Sequence, residues 1–566
     1  MNKVAWLALI LASCCQQSFA QNIRTESNPL DFNENATLSA IDDSYEILKD
    51  FHNYNTGLLI KRNVNVLRQL QFGGALNTSE GLPVEDVVEN LGINTQKLGA
   101  MLLVDSGKRL DIGGWLGFSK QCTTDTNGGG DNPSKECIAA REDVGEIGTV
   151  SNDYLGVDGA LIVGDYFRSW GGNDVLYMGA NALVSVANEM DLGKGDDQVR
   201  MEYGSSLDVQ SDLILGDGKD KFISRGFTSI KGDLYTGGGD DYIEIRGESP
   251  VGYGKIIITG KVDLGEGNDL FLLKNPVKEE FSLINKQLSL GAGDDVVDIR
   301  LKDTRLLIGK ASDAENKNYS LNFGLGNDTL MNKGTLESGW GIIFDGGDTG
   351  MGDYIYNYEG GIIASYAGIS FQDSGRGTID NQGTIEVALE NPSGRQIVFG
   401  LGNDRIINRK GGVVHVKGVI EMGDGNDLIL NDGSLILKQD FNGRSGLDMG
   451  NGDDQFLIGN GILILTNGDK VNGGAGVDDL VLSDQDNANP VSFGTDASQQ
   501  PSFGRKLIVA PGLSSQYVNF ENLIQDKGNY EYQGDFSKDF DRAIVRDGVF
   551  VVRESSPATF ENLELK

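Results

Sequence analysis

Aspartates on glycine-rich turns are the strongest chemical signal in this sequence. The pattern Gly-x-Gly-[Asp/Asn/Lys]-Asp occurs nine times, and we call its last residue the anchor aspartate. Carboxylates together with turn carbonyls form the flexible, oxygen-rich shell that Ca²⁺ prefers. Eleven aspartates are therefore predicted metal ligands, the nine anchors and two from looser copies: Asp174, Asp197, Asp220, Asp241, Asp269, Asp295, Asp328, Asp404, Asp427, Asp454 and Asp478.

A simpler reading of the same turns needs no metal. Asp and Asn side chains accept hydrogen bonds from nearby backbone N–H groups in Asx turns, while sodium and water screen the charge. Several turns carry two adjacent acidic residues, as in Asp196-Asp197 and Asp453-Asp454, which favours calcium in at least some of them. Both readings stay open at this point.

The spacing of the anchors predicts the fold. With a further loose copy at Asp353 and a degenerate phrase near Asp380, the stretch from Asp174 to Asp478 divides into intervals averaging about 25 residues. An apolar residue follows two positions after almost every anchor, and short alternating runs fill the rest, as expected for strands. About 25 residues accommodate three short strands. The sequence therefore predicts an all-β, right-handed parallel β-helix of about 12 to 13 coils, in which the anchors form one column.

Asparagines form a second column at a constant distance from the anchors. Asn332, Asn357, Asn408 and Asn431 lie four residues after their anchors, and Asn381 takes the same place in the degenerate coil. Each is followed shortly by glycine and then an aliphatic residue. Stacked amides can hydrogen-bond along a β-stack, so this column is predicted to be an asparagine ladder.

The composition restricts the class of partner. Acidic residues outnumber basic ones by 83 to 48, which gives a net charge of -35. Nucleic acid binding needs a basic face, so nucleic acid is not expected as a partner. The same charge argues against direct docking on acidic glycans or anionic membranes unless calcium bridges the two. The 80 glycines with only 10 prolines exclude collagen, and the 39% apolar content excludes a disordered acidic tail.

The first twenty residues have the form of a secretory signal peptide. Lys3 precedes a short apolar run, and small residues come before the expected cleavage at Gln21. In the alternative reading, Cys14 lies in a lipobox and carries a lipid. No later stretch reaches the roughly 20 apolar residues of a membrane-spanning helix. Cys122 and Cys137 are expected to form a disulfide in an exported chain.

The predicted domain organisation has four parts. Residues 1–20 are the signal peptide, residues 21–155 a mixed N-terminal cap with short helices, residues 156–483 the β-helix repeats, and residues 484–566 a small C-terminal cap. Terminal caps are expected because an uncovered coil is an open sheet edge. The helices are expected in two segments, LSAIDDSYEILKDF and LPVEDVVENLG.

Two bacterial families resemble parts of the chain. GGAGVDDLV, from Gly473 to Val481, is similar to the glycine-aspartate nonapeptide of repeats-in-toxin proteins, which implies calcium-binding turns. The signal peptide, the long coils, the NxGTI phrases and the closing NFENLI resemble an autotransporter passenger. That family carries a membrane β-barrel after its passenger, and the stretch after Ser483 is too short for one. The resemblance implies an exported β-helix from a Gram-negative bacterium, extracellular, on the outer-membrane surface or periplasmic.

The sequence favours a structural or adhesive protein over an enzyme. His52 and His415 are its only histidines, and the acidic pairs recur on many coils whereas a catalytic site occurs once. No catalytic residue and no organic cofactor is predicted, and His415 is expected at an ordinary strand position. We expect a calcium-stabilised adhesin or matrix rod that contacts host or bacterial surface glycans or proteins. A polysaccharide lyase or hydrolase and a toxin passenger are the alternatives.

Overall fold

The computed structural model places parallel strands throughout the described part of the chain. The described residues are 24–26, 30–32, 36–38, 45–47, 51–54, 57–60, 64–66, 70–73, 98–104, 106–113, 116–118, 152–169, 171–247, 254–275, 282–309, 320–346, 352–371, 375–387, 396–440, 446–459, 461–464, 470–483, 517–527, 529–532, 540–552 and 563–565. All regular secondary structure in these ranges is β-strand. The strands lie in three parallel sheets, A, B and C, of a β-solenoid. The predicted all-β parallel β-helix is confirmed.

The chain divides into two compact units, residues 1–188 and residues 189–566. In the first unit, sheet A contains Arg24–Glu26, Tyr45–Ile47, Val64–Val66, Arg109–Ile112, Ala160–Val163 and Leu183–Val186. Sheet B contains Leu30–Phe32, Phe51–Tyr54, Leu70–Gly73, Leu116–Phe118 and Phe167–Arg168. Sheet C contains Ala36–Leu38, Gly57–Ile60, Leu98–Val104, Asn152–Val157 and Val175–Met178.

The second unit repeats the same order of sheets. Sheet A contains Ser206–Val209, Phe227–Ile230, Lys255–Ile258, Ser282–Ile284, Arg305–Ile308, Thr335–Ser338, Ile362–Ser365, Thr384–Val387, Val413–Lys417, Ser434–Lys438 and Ile462–Ile464. Sheet B contains Met190–Asp191, Leu213–Ile214, Leu234–Tyr235, Val262–Glu266, Leu288–Ala292, Leu321–Asn322, Gly341–Phe344, Gly368–Phe371, Ile397–Val398, Val419–Glu421, Gly446–Asp448, Lys470–Asn472 and Tyr517–Val518.

Sheet C of the second unit carries the strands that follow the anchors. They are Gln198–Met201, Lys221–Ser224, Tyr242–Arg246, Leu270–Lys274, Val296–Ile299, Thr329–Asn332, Asp353–Asn357, Gly377–Asn381, Arg405–Asn408, Leu428–Asn431, Gln455–Ile458, Asp479–Ser483, Asn522–Lys527, Arg542–Val545 and Leu563–Leu565. A separate pair, Asn529–Tyr532 and Val549–Val552, is also parallel. The coils that carry an anchor therefore run from sheet B through a Gly-Asp turn to sheet C and then to sheet A.

The core forms because apolar residues alternate with polar ones along each strand. In Gln198–Met201, for example, Val199 and Met201 are fully buried, while Gln198 and Arg200 face outward. In the second unit the register continues from strand to strand, so that Val199 lies beside Phe222 and Phe222 beside Ile243. The inward residues of successive coils therefore stack into one apolar interior.

Four phenylalanines stack inside the second unit. Phe323, Phe344, Phe371 and Phe399 come from successive coils, and neighbouring ring centroids lie 4.3, 4.7 and 4.7 Å apart with nearly parallel planes. The stack adds aromatic contact to the area that each ring buries.

The N-terminal region differs from its prediction. Tyr45–Ile47 and Phe51–Tyr54 are strands that pair in parallel with neighbouring coils, so the helix predicted over LSAIDDSYEILKDF is wrong. Its apolar residues suit either period over so short a run, and the stacking of coils decides between them. The predicted helix in LPVEDVVENLG, the signal segment, and Cys122 with Cys137 lie outside the described residues. None of the described residues forms a helix long and apolar enough to cross a membrane.

Candidate functional site

Two glycines fix the conformation of each anchor turn. In Gly216-Asp217-Gly218, φ is +117° at the first glycine and +154° at the second, a region that other residues rarely adopt. A Cβ added to Gly216 would lie 1.3 Å from the carbonyl oxygen of Gly193 in the preceding coil. The turns of adjacent coils thus stack backbone on backbone, and only glycine permits this contact.

The anchor aspartates form one hydrogen-bonded column, which we call the aspartate ladder. The backbone N–H of each anchor donates to Oδ1 of the anchor in the following coil, as from Asp197 to Asp220 at 2.7 Å and from Asp220 to Asp241 at 2.8 Å. The series continues at 2.7 to 2.9 Å through Asp269, Asp295, Asp328 and Asp353, and again from Asp404 through Asp427 and Asp454 to Asp478. In the first unit, Asp153 donates to Asp174 in the same way, at 2.7 Å.

The ladder carboxylates point into the protein. Asp220, Asp295 and Asp328 are fully buried. The second carboxylate oxygen of several anchors has no hydrogen-bond partner among the described residues; these anchors are Asp220, Asp269, Asp295, Asp328, Asp404, Asp427, Asp454 and Asp478. Hydrogen bonding to one oxygen leaves most of the cost of burying a charge in place.

Burial raises the pKa of the ladder carboxyls well above their ordinary value of 3.8. The pKa of Asp328 rises to about 9, those of Asp220 and Asp427 to about 8, and that of Asp353 to about 6. Desolvation is the largest cause in each case, and the hydrogen bond from the preceding backbone N–H opposes it. At neutral pH much of the ladder is therefore protonated and uncharged.

The residues just before the anchors form a second, exposed ladder, in which the hydrogen bonds run in the opposite direction along the stack of coils. Here the backbone N–H of each coil donates to a side-chain oxygen of the preceding coil, as from Asn268 to Asp240 at 3.0 Å and from Asn327 to Asp294 at 2.9 Å. The same bond joins Val477 to Asp453 at 2.9 Å. Each acidic pair in the anchor turns therefore separates into one inward and one outward carboxylate.

One coil interrupts the aspartate ladder. The register places Gly377 beside Asp353, where an anchor aspartate is expected, and the Gly377 N–H donates to Asp404 at 2.6 Å. A Cβ at Gly377 would lie 2.6 Å from the ring of Phe399 and 2.9 Å from that of Phe371. The phenylalanine stack thus occupies the space that a carboxylate would need, which explains the degenerate phrase in the sequence.

The predicted asparagine ladder is confirmed. Nδ2 of Asn332 donates to Oδ1 of Asn357 at 2.9 Å, and the bonds continue to Asn381, Asn408 and Asn431 at 2.8, 2.9 and 2.8 Å. All five side chains are buried. Each amide also serves the tight turn between sheets C and A, as when the Gly383 N–H donates to Oδ1 of Asn381 at 3.2 Å. This column therefore has a structural role at the turn.

The geometry does not assemble a metal cage from acidic side chains alone. In the described ranges, no three His, Cys, Asp or Glu side chains gather into a group that could hold a metal ion. The eleven predicted ligands stand one per coil and are buried, while the outer carboxylates are exposed. Calcium binding at the anchors stays a prediction.

His415 occupies an ordinary place in a strand. It lies in Val413–Lys417 of sheet A, beside Glu386 on one neighbouring strand and Ile436 on the other. Desolvation lowers its pKa, so the imidazole is neutral near pH 7.

Two ladder residues escaped the sequence pattern. Asp153 precedes Asp174 without any glycine turn, and Glu521 follows Asp478 after 43 residues. The Asp478 N–H donates to Oε2 of Glu521 at 2.7 Å, so a longer acidic side chain ends the ladder. The only signal in the sequence is the acidic residue ahead of an apolar strand in NFENLI.

No family model, no curated protein and no solved structure matches this chain. The resemblance to repeats-in-toxin and autotransporter proteins therefore has no family match behind it, and what the structure shows is the parallel β-solenoid.

Proposed function

We propose that this chain is an exported, non-enzymatic β-solenoid that acts as an adhesin or matrix component at the surface of a Gram-negative bacterium. The observation that carries the proposal is how the recurring acidic turns are used. Their carboxylates accept backbone hydrogen bonds from coil to coil, so these acidic groups serve the scaffold. What remains is an extended outer face suited to repeated weak contacts.

Calcium belongs to this proposal as a stabilising ion at the Gly-Asp turns. Hard oxygen donors suit it, and the turns provide buried anchor oxygens without hydrogen-bond partners together with outer carboxylates such as Asp240, Asp294 and Asp453. These outer carboxylates already accept a backbone N–H through Oδ1. Oδ2 of Asp240 pairs with Nζ of Lys219, which leaves Oδ2 of Asp294 and of Asp453 for an ion. Bound calcium would neutralise the charge of the stacked outer carboxylates.

Attachment of intact cells tests the adhesive role. A strain lacking the protein should lose a measurable share of its attachment to glycan-coated and protein-coated surfaces, and the full chain should restore it. Unchanged attachment on every surface would reject the adhesive role.

The alternative function is a polysaccharide-active enzyme. Purified protein incubated with uronate-containing and neutral glycans should leave their chain length unchanged. Chain cleavage that is lost when one Asp or Arg outside the ladders is changed would replace the adhesive proposal with the enzymatic one.

A further inference from the structure

A column of cations runs along the outer face of sheet C in a chain whose net charge is -35. Arg225, Arg246, Lys274, Arg300 and Lys333 stand at the same position in five consecutive coils. We call them the cationic column. Arg246 lies directly beside Lys274 in the register of sheet C. Arg225, Arg300 and Lys333 each come directly after a strand of sheet C, and the last residues of those strands are paired with the neighbouring strands in the same register.

The fold does not require a cation at this position of the coil. Like charges placed directly opposite each other on neighbouring strands are destabilising. The equivalent positions before and after it are Glu202 and Tyr358, which shows that the fold accepts an acidic or an aromatic residue there. Five cations in a row therefore concentrate positive charge on a face where the position itself does not select it.

Carboxylates that are buried or nearly so hold four of these cations in place. Oε1 of Glu244 accepts from Nη2 of Arg246 at 2.6 Å and from Nζ of Lys274 at 3.0 Å, and Glu202 accepts from Nη1 of Arg225 at 2.9 Å. Asp298 likewise binds Arg300 through its Nε at 2.8 Å. The column is thus fixed by side chains beneath it before any ligand arrives.

The cations are more exposed than the carboxylates under them. The side chain of Arg300 is 46% exposed and that of Asp298 is 7% exposed; the values are 34% for Arg246 and 6% for Glu244. Four of the cations contact three carboxylates, Glu202, Glu244 and Asp298, and Nζ of Lys333 lies 4.7 Å from the ring centroid of Tyr358, so the cations of the column outnumber the carboxylates that they contact by two. Both arginines leave Nη1 without a partner among the described residues, and these donors are available to an anion.

The acidic turns lie too far away to cancel this field. Asp294 precedes Arg300 by six residues, and the extended strand Val296–Ile299 between them alone spans about 13 Å. The Debye length is about 8 Å at physiological ionic strength, so the exposed turn charges are largely screened at that distance. The local charge of the column therefore decides which ligands approach it.

We propose that the cationic column binds a linear acidic polysaccharide laid along the stacking direction of the coils. Neighbouring cations lie about 4.8 Å apart across the strands, so a polymer with regularly spaced carboxylates or sulfates meets several of them at once. Nucleic acid fits less well, because its affinity depends on many phosphate contacts and the surplus here is only two charges. The inference deepens the proposed adhesive function and rests on it.

Binding of defined polymers to the full chain tests this assignment. The probes are polygalacturonate for carboxylates, heparin for sulfates, dextran as a neutral glycan and an oligothymidylate as nucleic acid, each immobilised for interferometry. Polygalacturonate or heparin should bind with an affinity that falls as NaCl rises. Dextran should not bind. Equal binding of dextran, tighter binding of the oligonucleotide, or no binding of either acidic glycan would overturn the proposal.

The decisive variant is R246Q combined with K274Q. Loss of two charged contacts should weaken acidic-glycan binding by about tenfold or more. The matched control is R305Q combined with K219Q, which removes two exposed cations elsewhere in the same unit, paired with Glu337 and Asp240. The control should change affinity less than twofold at the same salt concentration. Equal losses in both pairs would mean that net charge alone drives binding.

A cell attachment assay separates this inference from the function on which it rests. If deletion of the protein abolishes attachment but R246Q/K274Q retains it, the column assignment fails and the adhesive role stands. If the purified chain binds acidic glycans through the column but deletion leaves attachment unchanged, the adhesive role fails alone. Circular dichroism and the melting temperature of each variant confirm that it is folded.

Discussion

At the scale of single residues, the aspartate ladder makes stability depend on pH in an unusual direction. The anchor carboxyls have pKa values raised by burial, from 3.8 to about 6 for Asp353 and to about 9 for Asp328. Between pH 3.8 and the raised pKa of each carboxyl, the folded state therefore binds more protons than the unfolded state. Their contribution to stability is fully present below about pH 4 and is lost as the pH rises through the folded pKa values.

We expect the melting temperature to fall as the pH is raised from 5 to 9. The change Asp427→Asn should flatten this dependence, because an amide keeps the oxygen that accepts the Asp404 N–H and cannot ionise. Scanning calorimetry at several pH values measures both effects. Asp424→Asn, at an exposed position on the same turn, is the control and should leave the slope as in the parent. A melting temperature that rises across this range would contradict the protonated ladder.

The asparagine ladder permits a second residue-scale prediction. Asn381→Ala removes a side chain that accepts from Asn357 and donates to Asn408, both of which are buried. Losing both of these bonds, together with those of Asn381 to Val413 and Gly383, should cost about 2–4 kcal/mol in the free energy of unfolding. Urea denaturation measures it. Gln382→Ala changes the adjacent exposed residue and should stay within about 0.5 kcal/mol of the parent. Similar losses in both variants would show that the turn matters and the ladder does not.

At the scale of elements, the Gly-Asp turn depends on close contact between coils as well as on positive φ. Gly425 and Gly411 separate the two requirements. Both have positive φ, +147° and +86°, but a Cβ on Gly425 would lie 1.5 Å from the carbonyl oxygen of Gly402, whereas nothing lies within 4 Å of one on Gly411.

We therefore expect Gly411→Ala to cost about 1 kcal/mol from backbone strain alone, and Gly425→Ala to cost about 3 kcal/mol or more. Denaturant midpoints at constant slope give both values. If the two losses were equal, the turns of adjacent coils would not be in contact.

Much of this architecture follows from the sequence because its period is explicit. The anchors, the apolar residue two positions later and the asparagine four positions later are all fixed by the register of a parallel stack, so the ladder through Asn332 and Asn431 was predictable. The inward direction of the anchors was not, because a glycine turn presents the same letters whether its aspartate faces water or the core. Gly377 and Glu521 were hidden for another reason: each is explained by a distant contact, with Phe399 and with Asp478.

At the scale of the whole molecule, the acidic surface makes divalent ions the most direct test of what stabilises it. If calcium binds the turns, adding millimolar Ca²⁺ after chelation should raise the melting temperature, since ligand at a hundred times its dissociation constant contributes about 2.7 kcal/mol per site. Mass-spectrometric metal analysis counts the bound ions. The double variant Asp240→Asn and Asp294→Asn should reduce the shift if the outer carboxylates take part. No shift and no bound calcium would leave the Asx-type ladders as the sole explanation of the turns.

The opposite directions of the two turn ladders give the coils an order of completion. An anchor amide has its acceptor only once the following coil has arrived, whereas the outer amide of each new coil finds its acceptor already in place on the coil before it. If the coils form in order from the N-terminus, the anchor N–H of the newest coil still lacks its hydrogen-bond acceptor, while the anchor N–H groups of the earlier ladder coils already have theirs. Glu521, reaching back to Asp478 from beyond the last glycine turn, is the residue that finishes the series.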